Sequence, residues 1–186
     1  NMYSEKTPYD FLEDMINLYR IEDKTLFIIR MFLYADTLTN QIIEKEGGEI
    51  KKYLNCQFCE KICGERPLSL NEKIELLAKS KVLNNDLVGS FKLLSKLRHR
   101  FAHDFSPDNK KILSWIHEFN LPTNEELKKL IKSQDEWVQF CLLSITSVFN
   151  LFEALNKKSV GLKIEYNKTT QDWLFHLEGK KFILPK

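Results

Sequence analysis

Apolar residues recur at intervals of three and four positions along most of the chain, which is the spacing of amphipathic helices. Residues 8–19 carry such a stripe behind Pro8, and proline is well suited to the first turn of a helix. Residues 23–46 repeat the pattern without a helix-breaking residue until Gly47 and Gly48. The pattern therefore predicts a short first helix and a long second helix that forms one wall of the core.

Capping signals predict two further helices in the middle of the chain. Ser69 and Glu72 form a capping box, in which each side chain accepts a hydrogen bond from a backbone N–H that the helix leaves unpaired. Residues 84–86 read Asn-Asn-Asp and offer the next N-cap, and a helical stripe follows them to residue 104 before a proline. We expect helices to begin at both signals.

The second half of the chain predicts one more long helix. Residues 133–136 read Ser-Gln-Asp-Glu, a second capping box, and a strongly apolar run follows, so a helix is expected over residues 135–157. Shorter helices are predicted over residues 49–63, 112–119 and 123–132.

After Gly161 the apolar period changes from helical spacing to two, which is typical of β-strands. Turn signals at residues 167–168 and 178–179 divide this stretch into three strands. The sequence thus predicts a mainly α fold, with a bundle of four to five main helices plus short surface helices over residues 1–158. A small antiparallel β-meander is expected as an appendage over residues 159–186.

Composition narrows the range of functions. The net charge is +2, from 28 basic and 26 acidic residues, so no bulk positive field holds nucleic acid and any RNA contact has to be local. No run of about 18 uninterrupted apolar residues and no basic-then-apolar leader is present, so we expect a cytoplasmic protein that does not engage a membrane. The four cysteines are then expected to be reduced thiols.

One segment concentrates residues that are able to do chemistry. Residues 97–104 read Leu-Arg-His-Arg-Phe-Ala-His-Asp, which places two arginines, two histidines and a carboxylate in an otherwise apolar helix. Imidazole exchanges protons near neutral pH, and guanidinium donates paired hydrogen bonds to phosphate oxygens. Together the two groups suit phosphodiester cleavage. RNA supplies its own nucleophile, the 2′-OH, so neither a metal nor a cofactor is required.

The spacing of Arg98 and His103 restricts how they can cooperate. Residues five apart on a regular helix lie about 140° apart around its axis. The two side chains meet if the helix frays or bends, or if a two-fold axis brings together Arg98 of one chain and His103 of another. The alternative is a basic helix end that complements the C-terminal dipole, with His103 bonded to Asp104 or to a carbonyl.

Residues 98–103 resemble the Arg-polar-x-x-x-His signature of HEPN domains. Residues 68–77 and 93–104 together are similar to the mannitol-operon-repressor branch of that family, in which a helix reading Leu-Ser-x-x-x-Lys-Ile-x-Leu-Leu precedes Leu-Arg-Asn-x-Phe-Ala-His. The resemblance covers about a third of the chain, and it implies a HEPN-like helical bundle that forms a homodimer with the motif facing the partner.

The resemblance also implies roles for individual residues. Arg98 would stabilise the scissile phosphate, and His103 would act as general acid and base in 2′-OH attack, leaving a 2′,3′-cyclic phosphate. Arg100 would be an auxiliary phosphate contact or, as an alternative, a solvated surface cation. His99 stands where the family usually has Asn, and a residue that can carry charge there would tune, replace or abolish the activity.

Two classes of function follow from the resemblance. Many HEPN proteins are metal-independent RNases that act as toxins, paired with an antitoxin, or in phage defence. Others, including the mannitol-repressor branch, are regulators that bind a partner protein without demonstrated cleavage. We expect the nuclease, with the non-catalytic regulator or adaptor as the alternative.

Two further groups of residues invite a functional interpretation. Cys56, Cys59 and Cys63 have a spacing that zinc ligands use, but the same spacing is one stripe of a helix, and a fourth ligand is missing nearby. Cys141 lies in an apolar run and is expected in the core. Asp36, inside the long second helix, would either orient Arg98 or His103 or lie on an exposed face.

Overall fold

The computed structural model describes residues 7–47, 50, 68–103, 129–131 and 133–185, without the side chains of residues 86, 100–103 and 136. The elements with defined bounds in these ranges are α1 (Pro8–Arg20), α2 (Lys24–Lys45), α3 (Leu70–Lys79), α4 (Asp86–His103), α5 (Glu136–Asn156), β1 (Lys163–Asn167), β2 (Asp172–Leu177) and β3 (Lys180–Leu184). The predicted mainly α fold with a C-terminal antiparallel meander is confirmed.

Parts of three predicted helices fall outside this description. Residues 49–63, apart from Ile50, and residues 112–119 are not among the described residues. The helix predicted over residues 123–132 is described at 129–131, which are helical.

Capping boxes fix the start of α1 and of α3. Thr7 and Asp10 exchange hydrogen bonds at the start of α1, with the Thr7 backbone N–H donating to the Asp10 carboxylate at 2.9 Å. Ser69 and Glu72 form the same arrangement at α3, where the Ser69 N–H donates to Glu72 at 2.8 Å. The capping box predicted at Ser69 is confirmed.

The second predicted capping box, opening at Ser133, is wrong. Asp135 is the N-cap of α5, and its Oδ1 accepts hydrogen bonds from the Trp137 and Val138 N–H groups at 3.0 and 3.1 Å. The Ser133 hydroxyl instead donates to the Leu130 carbonyl at 2.7 Å and so completes the preceding turn. A carboxylate accepts two donors and complements the positive end of the helix dipole, which favours aspartate over serine as the cap.

β2 is the central strand of a sheet in the order β1-β2-β3. The turn that joins Leu177 to its partner Lys180 consists of Glu178 and Gly179, with φ values of 51° and 77°. Two positive φ values define the mirror-image turn whose twist matches that of an antiparallel hairpin. In the turn before β2, Asn167 Oδ1 accepts two backbone N–H groups at 3.0 and 3.3 Å.

The core lies around α2, which packs against α1, α3, α4 and α5. Helices and sheet contribute to one apolar cluster. Its largest fully buried members are Trp173, Tyr34, Phe11, Phe27, Phe91, Phe140 and Phe175. The meander is therefore packed into the same core as the helices.

The outer strand of the meander packs on α1. The rings of Tyr9 and Phe182 lie 5.0 Å apart in an edge-to-face arrangement, and Lys180 Nζ lies 4.1 Å above the Tyr9 ring. At the other end of α1, the Arg20 guanidinium donates to the Ile183 carbonyl at 3.3 Å. These contacts hold β3 along the length of α1.

Residues Trp137–Asn156 of α5 are long and apolar enough to cross a membrane by length and composition, with a mean hydropathy of 1.6. Inside the protein, 72% of this segment is buried. A helix at the centre of a protein core has the same apolar composition, and α5 packs against α1, α2 and α4.

Candidate functional site

The helix that carries the basic motif is held by polar contacts on its flank. The Ser95 hydroxyl of α4 donates to Asn71 Oδ1 of α3 at 3.0 Å, and Lys92 pairs with Glu75 at 2.7 Å. Because the later residue on α4 meets the earlier one on α3, the two helices run antiparallel. The opposite flank of α4 is buried, with Leu97 fully inaccessible.

A buried ion pair joins α3 to α2. Lys73 Nζ lies 2.7 Å from Asp36 Oδ1, and the Lys73 side chain is 10% exposed whereas that of Asp36 is 33% exposed. A buried ammonium is costly unless a carboxylate compensates it. The contact found for Asp36 is therefore structural, between two helices that support α4.

The Arg98 side chain of α4 packs on the ring of Phe32 in α2. Its guanidinium carbon is 4.6 Å from the centroid of the Phe32 ring, and Phe32 is half-buried while Arg98 is exposed. Asp36 of α2 meets Lys73, which lies on α3 next to the contact of Asn71 with Ser95 of α4. One turn earlier on α2, Phe32 meets Arg98, which lies about one turn later on α4. The two helices are therefore antiparallel, with the His103 end of α4 toward the start of α2.

α4 is helical without interruption from Asp86 to His103. The backbone of α4 is therefore not frayed up to His103. On a regular helix the positions of Arg98 and His103 are about 140° apart around the axis.

The remaining residues of the motif are described only in part. His99 is exposed, and it makes a contact of its own. The side chains of Arg100 and His103 and the whole of Asp104 lie outside the described residues, as do Cys56, Cys59 and Cys63. Within the described ranges, no group of three or more His, Cys, Asp or Glu side chains is arranged to hold a metal ion.

Cys141 is fully buried in α5, as the sequence predicts. Burial raises the pKa of its thiol well above the ordinary value, and the charge of Asp135 raises that pKa further. A thiol in this environment stays protonated and is unreactive, so Cys141 belongs to the core.

A separate cavity of about 400 Å³ lies where α1 ends and α2 and α5 begin. It is lined by Tyr19, Arg20, Glu22, Lys24, Asp135, Trp137 and Pro185. Burial is the main cause that raises the pKa of Tyr19 to about 12, and the negative charges of Asp135 and Glu22 also raise it. The four charged side chains that line the cavity are two cations, Arg20 and Lys24, and two anions, Glu22 and Asp135, so their charges cancel.

Sequence reasoning missed Phe32 and Lys73 as supports of the site. Lys73 stands between Leu70 and Leu77 on the apolar stripe of α3, and a lysine at such a position requires a buried acidic partner. That signal was available in the sequence. Phe32 carried no comparable signal, because an aromatic residue in an apolar helix is ordinarily a core residue.

Comparison of the chain with models of protein families, with curated proteins and with solved structures gave no match.

Proposed function

We propose that this protein is a metal-independent endoribonuclease of the HEPN type that works as a homodimer, in a toxin–antitoxin or defence setting in the cytoplasm. The proposal rests on the resemblance of residues 98–103 to the HEPN signature and on the surroundings of Arg98. An exposed guanidinium held on a ring, on the same helix as a histidine, suits the recognition and cleavage of a phosphodiester.

The observation that carries the proposal is the contact of Arg98 with Phe32. In the described part of the chain no carboxylate pairs with Arg98, and its guanidinium lies 4.6 Å above the ring instead. The N–H donors of a guanidinium lie in its plane, so a ring against one face does not engage them, and we infer that they bind a phosphate group.

In the proposed reaction His103 removes the proton from the 2′-OH, and the 2′-oxygen attacks the neighbouring phosphorus. The bond from phosphorus to the 5′-oxygen breaks, and that oxygen leaves with the proton that the His103 imidazolium took from the 2′-OH. The products are a 2′,3′-cyclic phosphate and a 5′-OH end. Arg98 stabilises the negative charge that grows on the phosphate oxygens.

The positions of Arg98 and His103 on α4 favour a composite site. Since they lie about 140° apart around one helix axis, a two-fold dimer supplies both groups to one cleft, with Arg98 from one chain and His103 from the other. His99, Arg100 and Asp104 are proposed as auxiliary RNA contacts around this cleft. RNA is the proposed ligand, and an antitoxin or regulatory protein is the proposed second partner.

The first experiment is RNA cleavage in EDTA by the purified protein and by Arg98→Ala and His103→Ala. We expect cleavage by the wild type, loss in both variants, and retention in Lys96→Ala, which removes an exposed cation from the same helix. Growth arrest on expression, relieved by His103→Ala, would support a toxin. If the wild type cleaves none of a varied set of RNAs, the non-catalytic regulator or adaptor is favoured.

The second experiment tests the composite site by mixing the two inactive variants. Random pairing makes half of the dimers mixed, and each mixed dimer has one intact site of two, so about a quarter of wild-type activity is expected. Cleavage that stays absent after subunit exchange, verified by native mass spectrometry, would place both groups of a site in one chain.

A further inference from the structure

The contact between Arg98 and Phe32 joins an exposed cation of α4 to a half-buried ring of α2. The guanidinium carbon lies 4.6 Å from the ring centroid, within the range of a cation–π interaction. Phe32 is packed against the core, so the ring is a fixed surface on α2. The Arg98 guanidinium thus packs on a ring that is held by the core, although the Arg98 side chain is exposed to solvent.

Such a contact occupies a face of the guanidinium. The N–H donors of arginine lie in the plane of the group, and they remain available when a ring covers one face. Lysine has no plane and no fork, so it would keep the charge and lose this arrangement.

The acid nearest to Phe32 along α2 has a partner on another helix. Asp36, one turn after Phe32, is 2.7 Å from Lys73 Nζ. The Asp36 carboxylate is thus compensated by Lys73.

We propose that Phe32 is a positioning residue for RNA binding, which holds Arg98 so that its N–H fork faces the phosphate. This inference rests on the proposed function of the Arg98 site. It deepens that proposal by assigning the orientation of the phosphate-binding group to a residue on a different helix. Phe32 acts through Arg98 and does not itself touch the reacting atoms.

The test compares Phe32→Leu, which removes the ring, with Phe32→Tyr, which keeps it. Binding of a 2′-O-methyl RNA oligonucleotide, which has no free 2′-OH, is measured by fluorescence anisotropy. We expect Phe32→Leu to raise the Kd about two- to five-fold, which is the range of an exposed cation–π pair. Phe32→Tyr keeps the ring and should leave the Kd unchanged. Tyr9→Leu removes a ring beneath Lys180 elsewhere in the protein and serves as the matched control, with no change in Kd.

A double-mutant cycle separates positioning from a merely structural effect. In an Arg98→Ala background, Phe32→Leu is expected to have no further effect on Kd, because the group that the ring orients is gone. An equal loss in both backgrounds would mean that the ring acts through stability and would overturn the inference. No loss in the wild-type background would overturn it as well.

Two readouts keep the inference apart from the proposed function. In the free protein, the Arg98 side-chain protons should show an upfield ring-current shift that Phe32→Leu abolishes, and its absence would refute the stack in solution. A wild type that binds no RNA would overturn the proposed function and this inference with it. RNA binding that is indifferent to the ring would overturn the inference alone.

Discussion

The Lys73 ammonium and the Asp36 carboxylate form an ion pair of 2.7 Å that ties α3 to the middle of α2. The Lys73 side chain is 10% exposed, so its charge depends on Asp36 for compensation. Asp36 follows Phe32, the residue in contact with Arg98, by one turn of α2. The contact found for Asp36 therefore serves the stability of the bundle.

Removing Asp36 should destabilise the fold more than removing an exposed acid. Asp36→Ala leaves Lys73 unpaired and should lower the free energy of unfolding by about 2 kcal/mol, less than for a fully buried pair because Asp36 is partly exposed. Glu75→Ala breaks the more exposed pair with Lys92 and should cost about 0–1 kcal/mol. Urea denaturation measures both, and equal losses would contradict the assigned role of Asp36. Replacing both members of the buried pair, Asp36→Leu with Lys73→Met, should recover most of the loss.

The N-cap of α5 offers a test of Asp135 against Ser133. Asp135→Ala removes the acceptor of two backbone N–H groups and should cost about 1 kcal/mol of stability. Ser133→Ala should cost clearly less, because its hydroxyl donates only to the preceding turn. The difference in thermal midpoint between the two variants is the measurement, and a larger effect at Ser133 would restore the capping box that the sequence predicts.

Tyr19 should make the protein less stable at high pH. Its pKa is raised from 10.0 to about 12 in the folded state, so folding favours the protonated phenol. The unfolded chain loses this proton first, and stability is therefore full below pH 10 and falls as the pH rises toward 12. Urea midpoints at pH 9, 10 and 11 should decline more steeply in the wild type than in Tyr19→Phe. Parallel declines would show that another group controls the alkaline loss.

Two glycines should respond to alanine in opposite directions. Gly89 lies inside α4, and a Cβ added there meets nothing within 4 Å, so Gly89→Ala should stabilise the protein by about 0.5–1 kcal/mol. Gly179 has a φ of 77°, which strains any residue with a Cβ, so Gly179→Ala should destabilise by about 1 kcal/mol. Chemical denaturation of the two variants is the check, and a shared sign would contradict it.

Much of the fold could be predicted from local patterns. The bounds of α1 and α2 follow from their apolar stripes and from the breakers beside them, and the cap at Ser69 follows from a side chain that satisfies a specific N–H. These features depend on residues a few positions apart, which a sequence displays directly. The start of α5 was harder, because Ser133 and Asp135 both offer acceptors and only geometry decides between them.

The surroundings of the candidate site depended on contacts between distant residues. Arg98 was identified from its own segment, but the ring beneath it belongs to a helix 66 positions earlier in the sequence. Asp36 was considered a partner of Arg98 or His103, and the partner found for it is Lys73, which lies 37 positions away. Pairings of this kind are determined by how helices pack, and periodicity alone does not specify them.

The hydrogen bond from Arg20 to Ile183 spans 163 positions of the chain. During synthesis α1 is made long before β3. The face of α1 that contacts β3 therefore stays uncovered until β3 has been made, whereas the helices are able to pack together earlier. Closing so long a loop is entropically costly and slow. Docking of the meander is then expected to come late in folding, and a nascent chain halted before β3 would present the uncovered side of α1 to chaperones.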